Sequence, residues 1–84
     1  MLLQTGPQTF QVLLGGGRII DAHLSHDTRR GLGLTGQPPL AVATELVRFL
    51  AEREDLAGVD SPLHLGAAAG KYPEFVDEIR ARLS

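Results

Sequence analysis

The sequence predicts a single α+β domain over residues 1–84, a glycine-turned β-hairpin packed on two helices. Three observations carry this prediction. Apolar residues alternate on both sides of Gly15-Gly16-Gly17, which is the period of a strand. Residues 40–54 carry an apolar stripe at helical spacing, and residues 73–83 carry a second stripe that opens on a proline.

The hairpin comes first. Thr9 to Leu14 and Arg18 to Ser25 read as its strands, with Phe10, Val12 and Leu14 on one face, joined there by Ile20, Ala22 and Leu24. Gln11, Leu13, Ile19, Asp21 and His23 take the opposite face, where Leu13 and Ile19 interrupt an otherwise polar surface. Three glycines supply the positive φ angles that a tight turn between the strands needs. An isolated two-stranded hairpin is marginal in water, so it must pack on the helices, gain a third strand from Leu2 to Gln4, or pair across a dimer.

From His26 to Pro39 the sequence reads as a 14-residue loop, broken by Gly31, Gly33, Gly36, Pro38 and Pro39. Structureless loops of this length are uncommon in compact domains and often functional, so this segment is expected to be mobile and to bind any ligand. Leu40 to Glu54 follows as the first helix, with Val42, Ala43, Leu46, Val47 and Leu50 in the stripe, Phe49 beside it, and Glu45, Arg48 and Glu52 on a solvated side. Pro62 to Gly70 is ambiguous between an extended piece and a helical turn. Pro73 to Leu83 is the second helix, with Glu74, Asp77 and Glu78 at its positive end and Arg80 and Arg82 at the other. The expected core is Phe10, Val12, Ile20, Leu24, Leu46, Val47, Leu50, Phe75, Ile79 and Leu83.

Composition narrows the function classes. With 43% hydrophobic and 21% charged residues the chain has an ordinary globular balance, and at 84 residues it can build one modest core. No cysteine is present, which removes disulfides and thiolate metal sites and favours a cytoplasmic setting. The amino terminus lacks the basic cluster and long apolar run of a signal peptide, and no stretch approaches the roughly 18 apolar residues of a membrane span. The net charge of -2 gives no general attraction to nucleic acid or anionic lipid. Arg18, Arg29 and Arg30 make the first 38 residues slightly basic against a more acidic remainder.

No motif assigns an activity. Gly31-Leu32-Gly33-Leu34-Thr35-Gly36 matches GxGxxG, but no strand ends at its first glycine and two prolines follow, so no dinucleotide site is expected. His23, His26 and Asp27 could ligate a divalent metal with His64 if the fold brought them together, yet their spacing is not diagnostic, and no metal or cofactor is assigned. No catalytic residue is assigned either. Gly70, Val76 and Ile79 have helix-turn-helix spacing, but the acidic start of the second helix would repel phosphates. Arg29 and Arg30, with the backbone amides of Gly31 and Gly33, are the candidate anion contacts.

The stretch Phe49-Leu50-Ala51-Glu52-Arg53-Glu54, then Leu65, then Lys71-Tyr72-Pro73-Glu74-Phe75-Val76-Asp77-Glu78-Ile79 resembles the tail of small actinobacterial and haloarchaeal proteins of unknown function. The resemblance covers about the last 35 residues, implies the carboxy-terminal architecture, and gives no residue a role. The leading functional expectation is a small protein-interaction or structural module that binds a second copy of itself or another protein, because a sheet edge left open invites association. A phosphate- or nucleic-acid-binding accessory protein using Arg18, Arg29 and Arg30 ranks second, and a stand-alone enzyme third.

Overall fold

The computed structural model describes residues 2–59 and 61–83 and shows an α+β fold, a four-stranded mixed sheet with helices. The strands are β1 (Leu2–Gln4), β2 (Thr9–Leu13), β3 (Ile19–His23) and β4 (Leu63–His64), in the spatial order β1-β2-β3-β4. β1 is a third strand, one of the three alternatives left open by the sequence, and pairs antiparallel with β2, placing Leu2 opposite Val12 and Gln4 opposite Phe10. β2 and β3 form the hairpin, with Phe10 opposite Ala22 and Val12 opposite Ile20. Its turn is a short 3₁₀ segment in which Gly16 and Gly17 take φ of 80° and 81°, a region where a Cβ is penalised. Both strands are shorter than the sequence suggests, stopping at Leu13 and His23.

The second edge of the hairpin is also occupied, which the sequence did not foretell. β4 lies parallel to β3, pairing Leu63 with Ala22 and His64 with His23. The approach to β4 is stitched to β3 as well: Arg18 Nη2 donates to the Val59 carbonyl (2.7 Å), and the Asp21 N–H donates to Ser61 Oγ (3.0 Å). The ambiguous segment after Pro62 thus resolves into both alternatives, a strand followed by a helix.

The helices are α1 (His26–Leu32), α2 (Pro39–Ala51), α3 (Leu65–Ala69) and α4 (Phe75–Leu83). α1 corrects the reading of residues 26–39 as a loop. Ser25 caps it, its Oγ accepting from the Thr28 N–H (3.1 Å), and Asp27 and Arg29–Arg30 suit its positive and negative ends. Gly33 closes it in the left-handed region (φ 72°), donating to the Arg29 and Arg30 carbonyls, and the Leu34 N–H returns to Arg29 O (2.9 Å). Leu32 and Leu34, on either side of this cap, are buried. Those two anchors and the helix remove the compositional ground for a mobile segment.

α2 begins at Pro39 and ends three residues before the expected Glu54, burying Val42, Ala43, Leu46, Phe49 and Leu50. Phe49 is in the stripe rather than beside it, and Val47 is half-buried at the margin. α4 starts two residues later than expected and buries Ile79, while Phe75 and Leu83 are half-buried against the core rather than inside it. One apolar cluster joins the inner sheet face (Phe10, Val12, Ile20, Ala22) to Leu46, Phe49, Leu50, Leu65 and Ile79.

Candidate functional site

Residues paired across the strands share a face. The inner face takes Phe10, Val12, Ile20 and Ala22 into the core, which leaves Leu3, Gln11 and Asp21 in one row of the outer face, Leu13 and Ile19 in a second, and Thr9, His23 and His64 in a third. Ile19 is 52% and Leu3 42% exposed, high for side chains of this size. Ile19 lies opposite Leu13 in the row nearest the glycine turn, and Leu3 lies one row further along, opposite Gln11. Among the described residues Asp21 is the one carboxylate in these rows. The outer face therefore has an apolar end and a histidine end.

At the histidine end lies a cleft of about 410 Å³ lined by Gln8, His23, Ser25, Thr28, His64, Gly66 and Ala67. It opens at the carboxyl ends of the parallel pair β3 and β4, where α1 and α3 begin, the place where open α/β sheets commonly bind ligands. The two imidazoles stand with ring centroids 5.3 Å apart and planes tilted by 32°. Behind them Ser25 Oγ and Thr28 Oγ1 share a 2.8 Å hydrogen bond. α3 presses directly on this corner: a Cβ at Gly66 would lie 2.6 Å from both Thr28 Cγ2 and Thr28 Oγ1.

The four groups weighed as metal ligands are thus only half assembled. His23 and His64 come together, whereas His26 Nδ1 is 3.4 Å from Arg29 Nη2 and Asp27 is 3.8 Å from Arg30, both on α1. Among the described residues no cluster of three or more potential ligands forms. What found this pair is the parallel register of β3 and β4, which no local pattern encodes.

The three arginines do not form one site. Arg18 lies before β3 and holds Val59, while Arg29 and Arg30 lie beyond its far end on α1. Gly31 is inside that helix, and the Gly33 N–H is spent on the α1 cap, so neither offers a concave loop of free amides. Arg29 Nε is buried and lacks a hydrogen-bond partner among the described residues.

Charge is concentrated elsewhere, between α2 and α4. The Arg53 guanidinium lies 3.7 Å from the Phe49 ring centroid and donates to Glu74 (3.0 Å) and to Glu78 (3.4 Å). Arg82 donates to Glu52 (2.7 Å) and Glu78 (2.9 Å). The hydrogen bond from Arg82 holds the Glu52 carboxyl below its ordinary range, as do its own backbone N–H and Arg53 for Glu74. Burial pushes the neighbouring Tyr72 phenol up, with Glu54 adding to it. Each cation has a carboxylate and each faces the helix junction, so this network clamps α4 onto α2. It also occupies the acidic start of the last helix. Among the described residues no helix is long and apolar enough to cross a membrane. No family model, curated protein or solved structure matches the chain.

Proposed function

We propose that the chain is a protein-interaction module whose docking surface is the outer face of the sheet and whose partner is a second copy of itself. The observation that carries this reading is the exposure of Ile19 and Leu3 on the outer face of the sheet, opposite the core. The original ground for association, an open hairpin edge, no longer applies, because β1 and β4 fill both edges and are themselves very short, a common protection against edge pairing. The face remains.

A second copy suits it on charge and symmetry. The net charge of -2 is too small to oppose self-association strongly, and a two-fold axis can set each Leu13–Ile19 end, with Leu3 in the next row, on its counterpart. Light scattering from micromolar to millimolar protein tests the reading. The expected result is a dimer that dissociates on dilution, with Ile19→Lys monomeric throughout and unchanged in far-UV circular dichroism. A monomer mass at every concentration overturns it.

A further inference from the structure

We propose that His23 and His64 form a chelating site for a divalent transition metal of the zinc, copper or nickel class, with the remaining coordination positions open into the cleft at the carboxyl ends of β3 and β4. The ring separation is the first support. A metal about 2.0–2.1 Å from an imidazole nitrogen sits ~3.2 Å from the ring centre, so two imidazoles at a tetrahedral angle have centres about 5.2 Å apart. The two rings here are 5.3 Å apart. The spacing therefore matches that of two imidazoles sharing one metal.

The second support is rigidity. Both residues lie on paired strands, directly opposite one another in register, and His64 also starts α3, whose Gly66 is wedged against Thr28 of α1. Ligands fixed by backbone pairing lose little freedom on binding. Among the described residues neither imidazole is held in a hydrogen bond or an ion pair, so both retain a nitrogen for a metal. His64 is exposed and His23 half-buried, which leaves the pair reachable from solvent.

The donor set selects the metal class. Two imidazoles with hydroxyls nearby and, among the described residues, no carboxylate lining the cleft suit borderline cations and give magnesium or calcium little to hold. With two protein ligands, water or a donor from a bound molecule completes the sphere.

The site does not depend on self-association, and the experiment separates the two. Zn²⁺ is titrated into the full chain by calorimetry, and the imidazole nitrogens are followed by ¹⁵N NMR, in the unaltered protein and in the Ile19→Lys chain. The expected result in both is saturable binding that shifts the ring nitrogens of His23 and His64 and leaves those of His26 in place, with no response to Mg²⁺. His23→Gln or His64→Gln should weaken binding at least about tenfold, whereas His26→Gln should not. The proposal is overturned if the two ring systems do not shift together, or if either glutamine variant binds Zn²⁺ as the unaltered chain does. The NMR arm needs no variant, so a glutamine substitution that failed to fold would leave the proposal open to refutation.

Discussion

Gly66 shows how tightly the histidine corner is built. A Cβ there would meet Thr28 Oγ1 and Cγ2 at 2.6 Å and Thr28 Cβ at 3.2 Å. Thr28 cannot easily turn aside, because it is β-branched and its hydroxyl and N–H are both bonded to Ser25. Gly66→Ala is therefore expected to destabilise the domain by about 1–3 kcal/mol through overpacking. Thr28→Ala removes the two atoms in closest conflict, so the double variant should recover part of the loss. A double-mutant cycle in urea measures this, with a coupling of about 0.5–3 kcal/mol expected for residues in direct contact. Additive losses would mean that the two residues do not touch. At this scale the sequence was informative about burial and silent about proximity. Phe10, Val12, Ile20, Leu24, Leu46, Leu50 and Ile79 are buried as their periodicity implies. The meeting of Gly66 with Thr28, and of His64 with His23, depends on how β4 is delivered to the sheet, which short-range spacing does not record.

Among the helices, α1 was the one read as a loop, and the reason is length. Seven residues give two turns at most, too few for a stripe to repeat, so Gly31 and Gly33 read as loop formers. The signals that remained were the caps: Ser25 at the start, Asp27 in the first turn, two arginines in the last, and a glycine just past the end. The longer α2 and α4 were legible because their apolar stripes repeat, and their misplaced ends fall where capping rather than packing decides. The junction of those two helices has a pH dependence that follows from its charges. Glu52 and Glu74 are held below the ordinary carboxylate range by Arg82, by Arg53 and, for Glu74, first by its own backbone N–H. A carboxyl whose pKa is lower in the folded chain stabilises the fold above its unfolded pKa, about 4.3 for glutamate, and loses that contribution as pH falls through the folded value. Stability in urea should therefore be level from pH 7 to about 5 and decline below that. In Arg82→Met the decline should be shallower, because Glu52 loses its nearest cation. An identical pH profile in that variant would show that the acid sensitivity arises outside the junction.

The whole molecule has one core and two layers, and neither layer can keep the core alone. Strand order in the sheet follows chain order, yet the connection from β3 to β4 runs through residues 24–62 and carries α1 and α2 with it. That long crossover is why the pairing of β4 with β3 was invisible in the sequence: two residues, Leu63 and His64, become a strand only because the helices return the chain beside β3. Its hold on the sheet is correspondingly indirect. Beyond two register pairs, it relies on the Arg18 and Asp21 hydrogen bonds to residues 59 and 61, and on Leu63 and Leu65, which are buried in the same cluster as Phe10, Phe49 and Ile79. Loss of the helix layer would expose the inner face of the sheet and remove the crossover that places β4. Loss of β4 would open the core beside Ala22. The two layers should therefore unfold together. The chain supplies a reporter for each: His64 at the sheet edge and Tyr72, its one tyrosine, edge-on to Phe49 at 5.7 Å within the helix layer. In urea, the His64 ring signals by NMR, the near-ultraviolet signal of Tyr72 and the far-ultraviolet backbone signal should share one midpoint and one slope of about 1 kcal/mol per molar. If His64 reached its unfolded chemical shift at a lower urea concentration than Tyr72 lost its signal, β4 would be an independently detachable edge. The histidine pair would then be the first feature of the fold to come apart, and Zn²⁺ at saturating concentration should move the His64 midpoint upward toward that of Tyr72, because a ligand that binds only the paired state stabilises that state.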